Sequence, residues 1–346
     1  MFEPARAVRP SRDRRLTGVV VRAISVEHWT DPADLVVSDV PEPALAADQI
    51  RVEVHSAGCN FFDLLLVQGK YQVKPAFPFT PGAEFAGEVV ECGGDAGDFE
   101  VGQRVYGDLG QGAYAERIAV AAAAARPIPP GMSFDEAAAL PLTYPTSYAA
   151  LKLRANLVAG ETLLVHAAAG GVGTAAVQIG KAMGARVIGT AGGAQKLEVA
   201  REAGADVVID YRERDFVPAV LDATDGRGAD VIYDSVGGET SARSLSCINW
   251  NGRLLVIGFA SGTIPELRTN RILLKNVAVV GVHWGAYRLH EPTRVGEVYG
   301  AIEAMAQRGE IRPIISGRYS LDEVPQALAE LASRRSIGKL IVHPRA

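Results

Sequence analysis

The chain has 346 residues, 48% of them hydrophobic and 22% charged, an ordinary balance for a globular protein and a length at which two domains are expected. A formal net charge of −5 and a pI near 5.8 argue against a nucleic-acid partner, which needs a basic face. No stretch approaches the roughly 18 uninterrupted apolar residues of a membrane helix, and three cysteines (Cys59, Cys92, Cys247) without a C-x-x-C pair are too few for a disulfide framework, so a reducing, cytoplasmic compartment fits.

Residues 1–16 are arginine-rich and carry no apolar run, so a disordered tail is expected there rather than a secretory signal. An arginine-rich transit peptide would suit Ser11 but not Glu3 and Asp13. From Gly18 to Gly112 short alternating runs broken by Pro and Gly predict strands at 18–23, 49–56, 84–92 and 104–106, which reads as a barrel-like β domain. Helical spacing appears over 132–140 and, after Pro145, over 146–153. From Glu161 apolar strands (162–166, 186–190, 207–210, 230–235, 253–258, 277–282) alternate with helical stretches (174–183, 195–203, 215–224, 241–248). Strands apolar throughout and separated by helices mean a parallel sheet covered on both faces, a doubly wound α/β domain. A helix over 294–307, a strand-like 317–320, a helix over 323–333 and a last strand over 338–342 complete the chain.

The most telling stretch is Leu163 to Gly173, LLVHAAAGGVG, an apolar strand running into small residues and then a helix. Gly170 and Gly173 take the last two glycine positions of a G-x-G-x-x-G loop and Ala168 takes the first; with Gly171 and Val172 they would let backbone pass close to a pyrophosphate at a helix N-terminus. The plainer alternative is a tight strand–helix turn that needs glycine only for packing. About 20 residues on, where an acidic side chain would hold the ribose of NAD, the second strand ends Thr190-Ala191-Gly192-Gly193 without a carboxylate. Lys196 follows and Tyr211 closes the third strand, a cation and a hydroxyl that suit a 2′-phosphate, so NADPH is expected as cofactor. Lys196 as an ordinary solvated helix residue is the alternative.

Together with this loop, Ser56-Ala57-Gly58-Cys59-Asn60-Phe61-Phe62-Asp63, Gln68-Gly69-Lys70-Tyr71 and Pro81-Gly82-Ala83-Glu84-Phe85-Ala86-Gly87 resemble the medium-chain dehydrogenase/reductase superfamily, in its zinc-free quinone oxidoreductase branch. The resemblance runs from about Gly18 to His343. It implies an α/β chain with a GroES-like β-barrel catalytic domain (17–144, with 284–346 returning to it) and a doubly wound Rossmann domain (145–283), the cleft lying between them. In the zinc-dependent members a Cys and a His hold a catalytic metal; the corresponding positions here are Asn60 and Ala83, so no metal is expected. Without a Lewis acid, the acceptor must spread the incoming charge by itself, as quinones and conjugated enones or enoyl thioesters do.

The candidate catalytic residues are Asn60, Tyr71 and Asp63. The Asn60 amide would donate to a substrate oxygen or to the nicotinamide ribose, the second being what the resemblance implies; a turn-forming Asn is the alternative. Tyr71 matches a Tyr that related enoyl-thioester reductases use, as proton donor or as pocket wall. Asp63 is expected to hydrogen-bond its loop more than to do chemistry. For the cofactor the resemblance adds Thr146; Gly258 and Phe259 end the fifth strand at the carboxyl edge where ligands bind, so the nicotinamide is expected to pass there, and Lys339 is expected to reach it. Tyr144, Tyr148 and His166 read as packing. Quinone reduction leads, reduction of activated C=C bonds follows, and a nucleotide-binding protein without turnover is a third reading. The apolar edge strand at 277–282 invites a homodimer, with a small-molecule acceptor as the other partner.

Overall fold

The computed structural model describes residues 18–346; the expected tail at 1–16 lies outside them. Six strands form a parallel sheet in the spatial order Val207–Asp210, Arg186–Ala191, Thr162–Val165, Ala229–Asp234, Ile248–Val256, Ala278–Gly281. The chain enters at the middle with Thr162–Val165, winds to one edge, returns beside its starting strand and winds to the other. The direction reverses between Thr162–Val165 and Ala229–Asp234, the switch point at whose carboxyl ends ligands bind in open sheets of this kind. Both sheet faces are covered, which is why these strands are apolar throughout: Leu163, Leu164, Val165 and Ile232 are all fully buried. The helix Gly171–Ala182 lies so close to the first strand that a Cβ on Gly180 would stand 2.5 Å from the Leu163 side chain.

The other sheet is built on the long strand Gln49–Gly58, which pairs antiparallel with Glu84–Cys92, with Arg117–Ala121 and with the returning strand Lys339–His343. The return places Ile341 opposite Gly58 and Val342 opposite Ala57, next to the Cys59–Asn60 loop. The two sheets share one buried cluster, in which Tyr106, Tyr144, Trp284 and Tyr299 pack with Leu163 and Val165 of the parallel sheet. Tyr299 donates its hydroxyl to the Pro141 carbonyl at 2.9 Å. This shared packing fixes how the two sheets sit against each other.

Several elements escape the sequence pattern. The helix Phe61–Val67 has only 7 residues, too few to show a period. Strands Val37–Pro41, Arg117–Ala121 and Ala125–Pro127 are short or alanine-rich, and exist because a partner strand is available. The expected strand at 253–258 begins earlier, at Ile248, and ends at Val256, because Ala229 still pairs with Ile248 before a register shift.

Candidate active site

The candidate dinucleotide loop follows the strand Thr162–Val165. Ala167 adopts φ +50, a left-handed conformation uncommon for alanine, and its carbonyl accepts from Gly170 N at 3.0 Å. The helix begins at Gly171 with Gly170 as an N-cap that has no side chain to offer. A Cβ on Gly170 would meet only the Ala167 carbonyl at 3.4 Å, whereas one on Gly173 would come within 2.1 Å of it. Gly170 thus presents bare backbone, and Gly173 lets the helix close on the turn. An open backbone at an uncapped helix N-terminus fits a pyrophosphate. Ala168, at the first glycine position, is fully buried and packs under Gly189, so no glycine is required there.

At the end of the second strand, Gly192 lies under two polar groups: a Cβ there would stand 2.7 Å from Arg212 Nε and 2.8 Å from the Tyr211 hydroxyl. Asp210, the nearby carboxylate, is turned inward and accepts from Gly193 N and Arg212 N at 3.0 and 2.9 Å. Lys196 donates to the Arg334 carbonyl at 2.6 Å, and burial, then Arg212, lowers its pKa. Sequence reasoning selected Lys196 and Tyr211 and passed over Arg212, although it directly follows Tyr211. Thr146 lies in the helix Thr143–Tyr148 and donates to the Leu142 carbonyl at 2.6 Å. Gly258 and Phe259 follow the fifth strand, with Phe259 39% exposed and packed over Gly237.

On the barrel side, a polar cluster is sealed from solvent. Lys339 is 3% exposed, and its ammonium donates to the Cys59 carbonyl at 3.0 Å, Asn60 Oδ1 at 2.8 Å and Glu84 Oε2 at 2.5 Å. Asn60 Nδ2 donates to Glu84 Oε2 at 2.7 Å, and Glu84 Oε1 accepts from Leu142 N at 2.6 Å. The expected reach of Lys339 toward the cofactor is therefore not what this side chain does, because all three of its protons are taken inside the protein. The Asn60 amide, expected to face substrate or ribose, is likewise held by Glu84 and Lys339, and its residue is 7% exposed.

Asp63 is fully buried and accepts from Asn60 N at 2.8 Å and the Tyr114 hydroxyl at 2.9 Å, while its Oδ1 has no partner. Burial raises its pKa to about 7 against the pull of those two hydrogen bonds and of Lys339. These contacts tie Asp63 to the loop and keep it off any reacting atom. Burial also pushes the Cys59 thiol up to about 12, which leaves it inert. Tyr71 is half-buried with its ring 5.3 Å from that of Phe62, and its hydroxyl has no hydrogen-bond partner among the described residues. Burial raises its pKa, so it is a neutral donor at pH 7.

The residues present do not fit a catalytic zinc. Asn60 and Ala83 supply no thiolate or imidazole, and a metal beside Glu84 would have to displace the Lys339 ammonium. Among the described residues no group of three His, Cys, Asp or Glu side chains stands where it would hold a metal. His166 packs as expected, 3.0 Å from Thr190 Oγ1 and 2.9 Å from Ser244 Oγ, its pKa lowered by burial to about 4. Ser56, Asp135 and His343 meet, but the serine hydroxyl bonds to the carboxylate, leaving no base on the nucleophile. A cavity of about 360 Å³ beside Thr80, Asp108 and Arg288 contains none of the selected site residues.

Residues 46–130 match the family model for the alcohol dehydrogenase GroES-like domain, and residues 171–306 match that for zinc-binding dehydrogenases. The chain is 40% identical to quinone oxidoreductase-like protein 2 homolog of Nematostella vectensis, over 99% of this chain and 96% of that protein. It superposes on the Escherichia coli quinone oxidoreductase complexed with NADPH with a TM-score of 0.86 at 32% identity, covering 93% of this chain and 100% of the other. The CurK enoyl reductase superposes with a TM-score of 0.83 at 27% identity, covering 94% and 98%. With its barrel, its doubly wound sheet, and an amide and an ion pair at the positions where zinc-dependent members carry ligands, the chain belongs to the medium-chain dehydrogenase/reductase superfamily, in the zinc-free quinone oxidoreductase branch.

Proposed function

We propose that this oxidoreductase reduces quinones with NADPH. The observation that carries this reading is the cleft floor, where Glu84 is already neutralised by Lys339 and no Lewis acid can sit. Negative charge developing on the acceptor must then be spread by the acceptor itself and met by hydrogen-bond donors. Bound NADPH would supply the hydride. The bare backbone at Gly170 and the N-terminus of the helix it opens would hold the pyrophosphate, and Lys196, Arg212 and Tyr211 would surround the 2′-phosphate. Gly258, Phe259 and Thr146 would line the path of the nicotinamide. Asn60 would meet the nicotinamide ribose from below through the second lone pair of its Oδ1, because both protons of its Nδ2 go to Glu84 and the Gly58 carbonyl. The unpaired hydroxyl of Tyr71 would donate to the reduced acceptor.

That same free hydroxyl favours a second reading, reduction of activated C=C bonds such as those of 2-alkenals or enoyl thioesters, in which carbon as well as oxygen must be protonated. Steady-state rates with 1,4-naphthoquinone and a crotonyl thioester separate the two. The quinone is expected to turn over faster by at least tenfold in kcat/KM, and the reverse order would install the second reading. Tyr71→Phe is expected to lower enoyl reduction on the order of 100-fold while leaving quinone reduction within a few-fold.

Coenzyme choice has its own test. The double replacement of Lys196 and Arg212 by alanine is expected to weaken NADPH binding by roughly 10- to 100-fold and to leave NADH binding unchanged. Equal losses for the two coenzymes would show that these cations do not read the 2′-phosphate.

A homodimer belongs to the same proposal. The strand Ala278–Gly281 closes one edge of the parallel sheet with Val279 39% exposed, and the preceding helix leaves Leu273 and Leu274 78% and 72% exposed.

A further inference from the structure

The buried ion pair joins parts of the chain that are far apart in sequence. Lys339 begins the last strand, Glu84 begins the second strand of the barrel's central pair, and Cys59 and Asn60 form the loop after the first. The arrangement gives the Asn60 amide one orientation. Its oxygen faces an ammonium, and its nitrogen faces Glu84 Oε2 at 2.7 Å and the Gly58 carbonyl at 3.4 Å. Turning the amide over would set N–H groups against the cation and an oxygen against the carboxylate, both repulsive at buried groups.

The residue before Lys339 is tied to the dinucleotide loop. Gly338 donates its N–H to the Ala169 carbonyl at 2.7 Å and forms a bridge with Gly170. Gly338 sits at φ +51, and a Cβ there would meet the Ile314 carbonyl at 2.1 Å, so its backbone has no freedom to drift. A Cβ on Gly171 would reach the Lys339 side chain at 3.1 Å. Two consecutive residues therefore span from the loop that would carry the pyrophosphate to the amide at the cleft floor.

We propose that Lys339, neutralised by Glu84, is a positioning residue that holds the Asn60 amide in one orientation and links that amide to the dinucleotide loop. The proposal rests on the reading of Asn60 as a group that meets coenzyme or acceptor. Lys339 touches neither; it acts through Asn60.

The test is a cycle of variants in the full-length protein. Lys339→Met alone leaves Glu84 as an unpaired buried charge and is expected to lower Tm sharply. Lys339→Met combined with Glu84→Gln removes both charges and is expected to recover Tm. In that neutral background kcat is expected to stay down on the order of 100-fold, since an amide free to turn over is misplaced for reaction. A purely structural ion pair predicts that kcat recovers along with Tm, and that result would overturn the proposal. Asn60→Ala should cost activity in the wild type and almost nothing further in the neutral background. An equal cost in both backgrounds would show that Lys339 does not act through Asn60. No cost in the wild type would remove the reading of Asn60 itself, and the proposal with it. A measurement on the wild type covers the case in which the neutral pair does not fold. The Asn60 side-chain amide protons, assigned by their loss in Asn60→Ala, are expected as one solvent-protected pair in the nitrogen–proton NMR spectrum of both free and NADPH-bound protein. Rapid exchange of those protons with water would overturn the fixed orientation.

Discussion

Gly173→Ala is expected to destabilise the protein by roughly 3 kcal/mol or more and to abolish measurable coenzyme binding, whereas Gly170→Ala should leave Tm unchanged and weaken coenzyme binding alone. The difference lies in what each added methyl would meet. At Gly173 it would stand 2.1 Å from the Ala167 carbonyl oxygen and 2.9 Å from Ala168 Cα, both backbone atoms that cannot swing aside. The turn is already committed, because Ala167 holds a left-handed φ of +50 and its carbonyl also accepts from Gly170 N. The helix Gly171–Ala182 would have to move off the strand, and it has little room, since Gly180 is pressed against Leu163 on its inner face. At Gly170 the only neighbour is the same carbonyl at 3.4 Å, an ordinary contact. A methyl there costs the apo protein little but stands where a phosphate would approach the backbone. Thermal unfolding with and without NADPH checks both. If the two variants lose Tm equally, both glycines serve packing and the loop is not shaped for an anion.

The second large effect concerns Asp63 and pH. Its pKa is 3.8 in an ordinary environment and about 7 in the fold, with burial as the leading cause and Glu84 adding to it. The folded state therefore keeps a proton that the unfolded chain has released between those two values. Stability contributed by the protonated form is complete below about pH 4, falls as pH rises toward 7, and is fully lost above it. At about 1.4 kcal/mol per pH unit, the wild type is expected to lose roughly 4 kcal/mol over that range relative to Asp63→Asn, of which about 2.5 kcal/mol falls between pH 5 and pH 8. The variant keeps an oxygen for Asn60 N and for the Tyr114 hydroxyl but has nothing to titrate. Denaturant unfolding at about pH 5 and pH 8 on both proteins measures this. Parallel pH dependences would mean that Asp63 is ionised throughout. The sign is informative, since a salt-bridged surface aspartate would show the opposite slope. Here the one buried cation of the cluster, Lys339, is already taken by Glu84.

Much of this protein is legible in one dimension. Apolar strands alternating with helices announce a parallel sheet, because a strand covered on both faces has no polar side to show. The small residues from Ala167 to Gly173 single out the candidate coenzyme loop, because backbone can approach an anion only where side chains are absent. Asn60 and Ala83 exclude a metal site by chemistry alone. These are properties of residue type and local spacing, which survive without knowledge of the fold.

Only the folded chain decides what the charged residues at the cleft do. Lys339 and Glu84 are 255 positions apart, and nothing in either neighbourhood marks them as partners. Their pairing depends on the final strand returning beside Gly58, a non-local register. That contact turns an expected coenzyme ligand into an internal cation, holds the Asn60 amide in place, and leaves Asp63 as a buried acid whose nearby cation is already paired with Glu84. Sequence patterning reports how often a residue is buried; it does not report which charges are buried together, and in a site closed to water that choice of neighbours governs protonation and orientation.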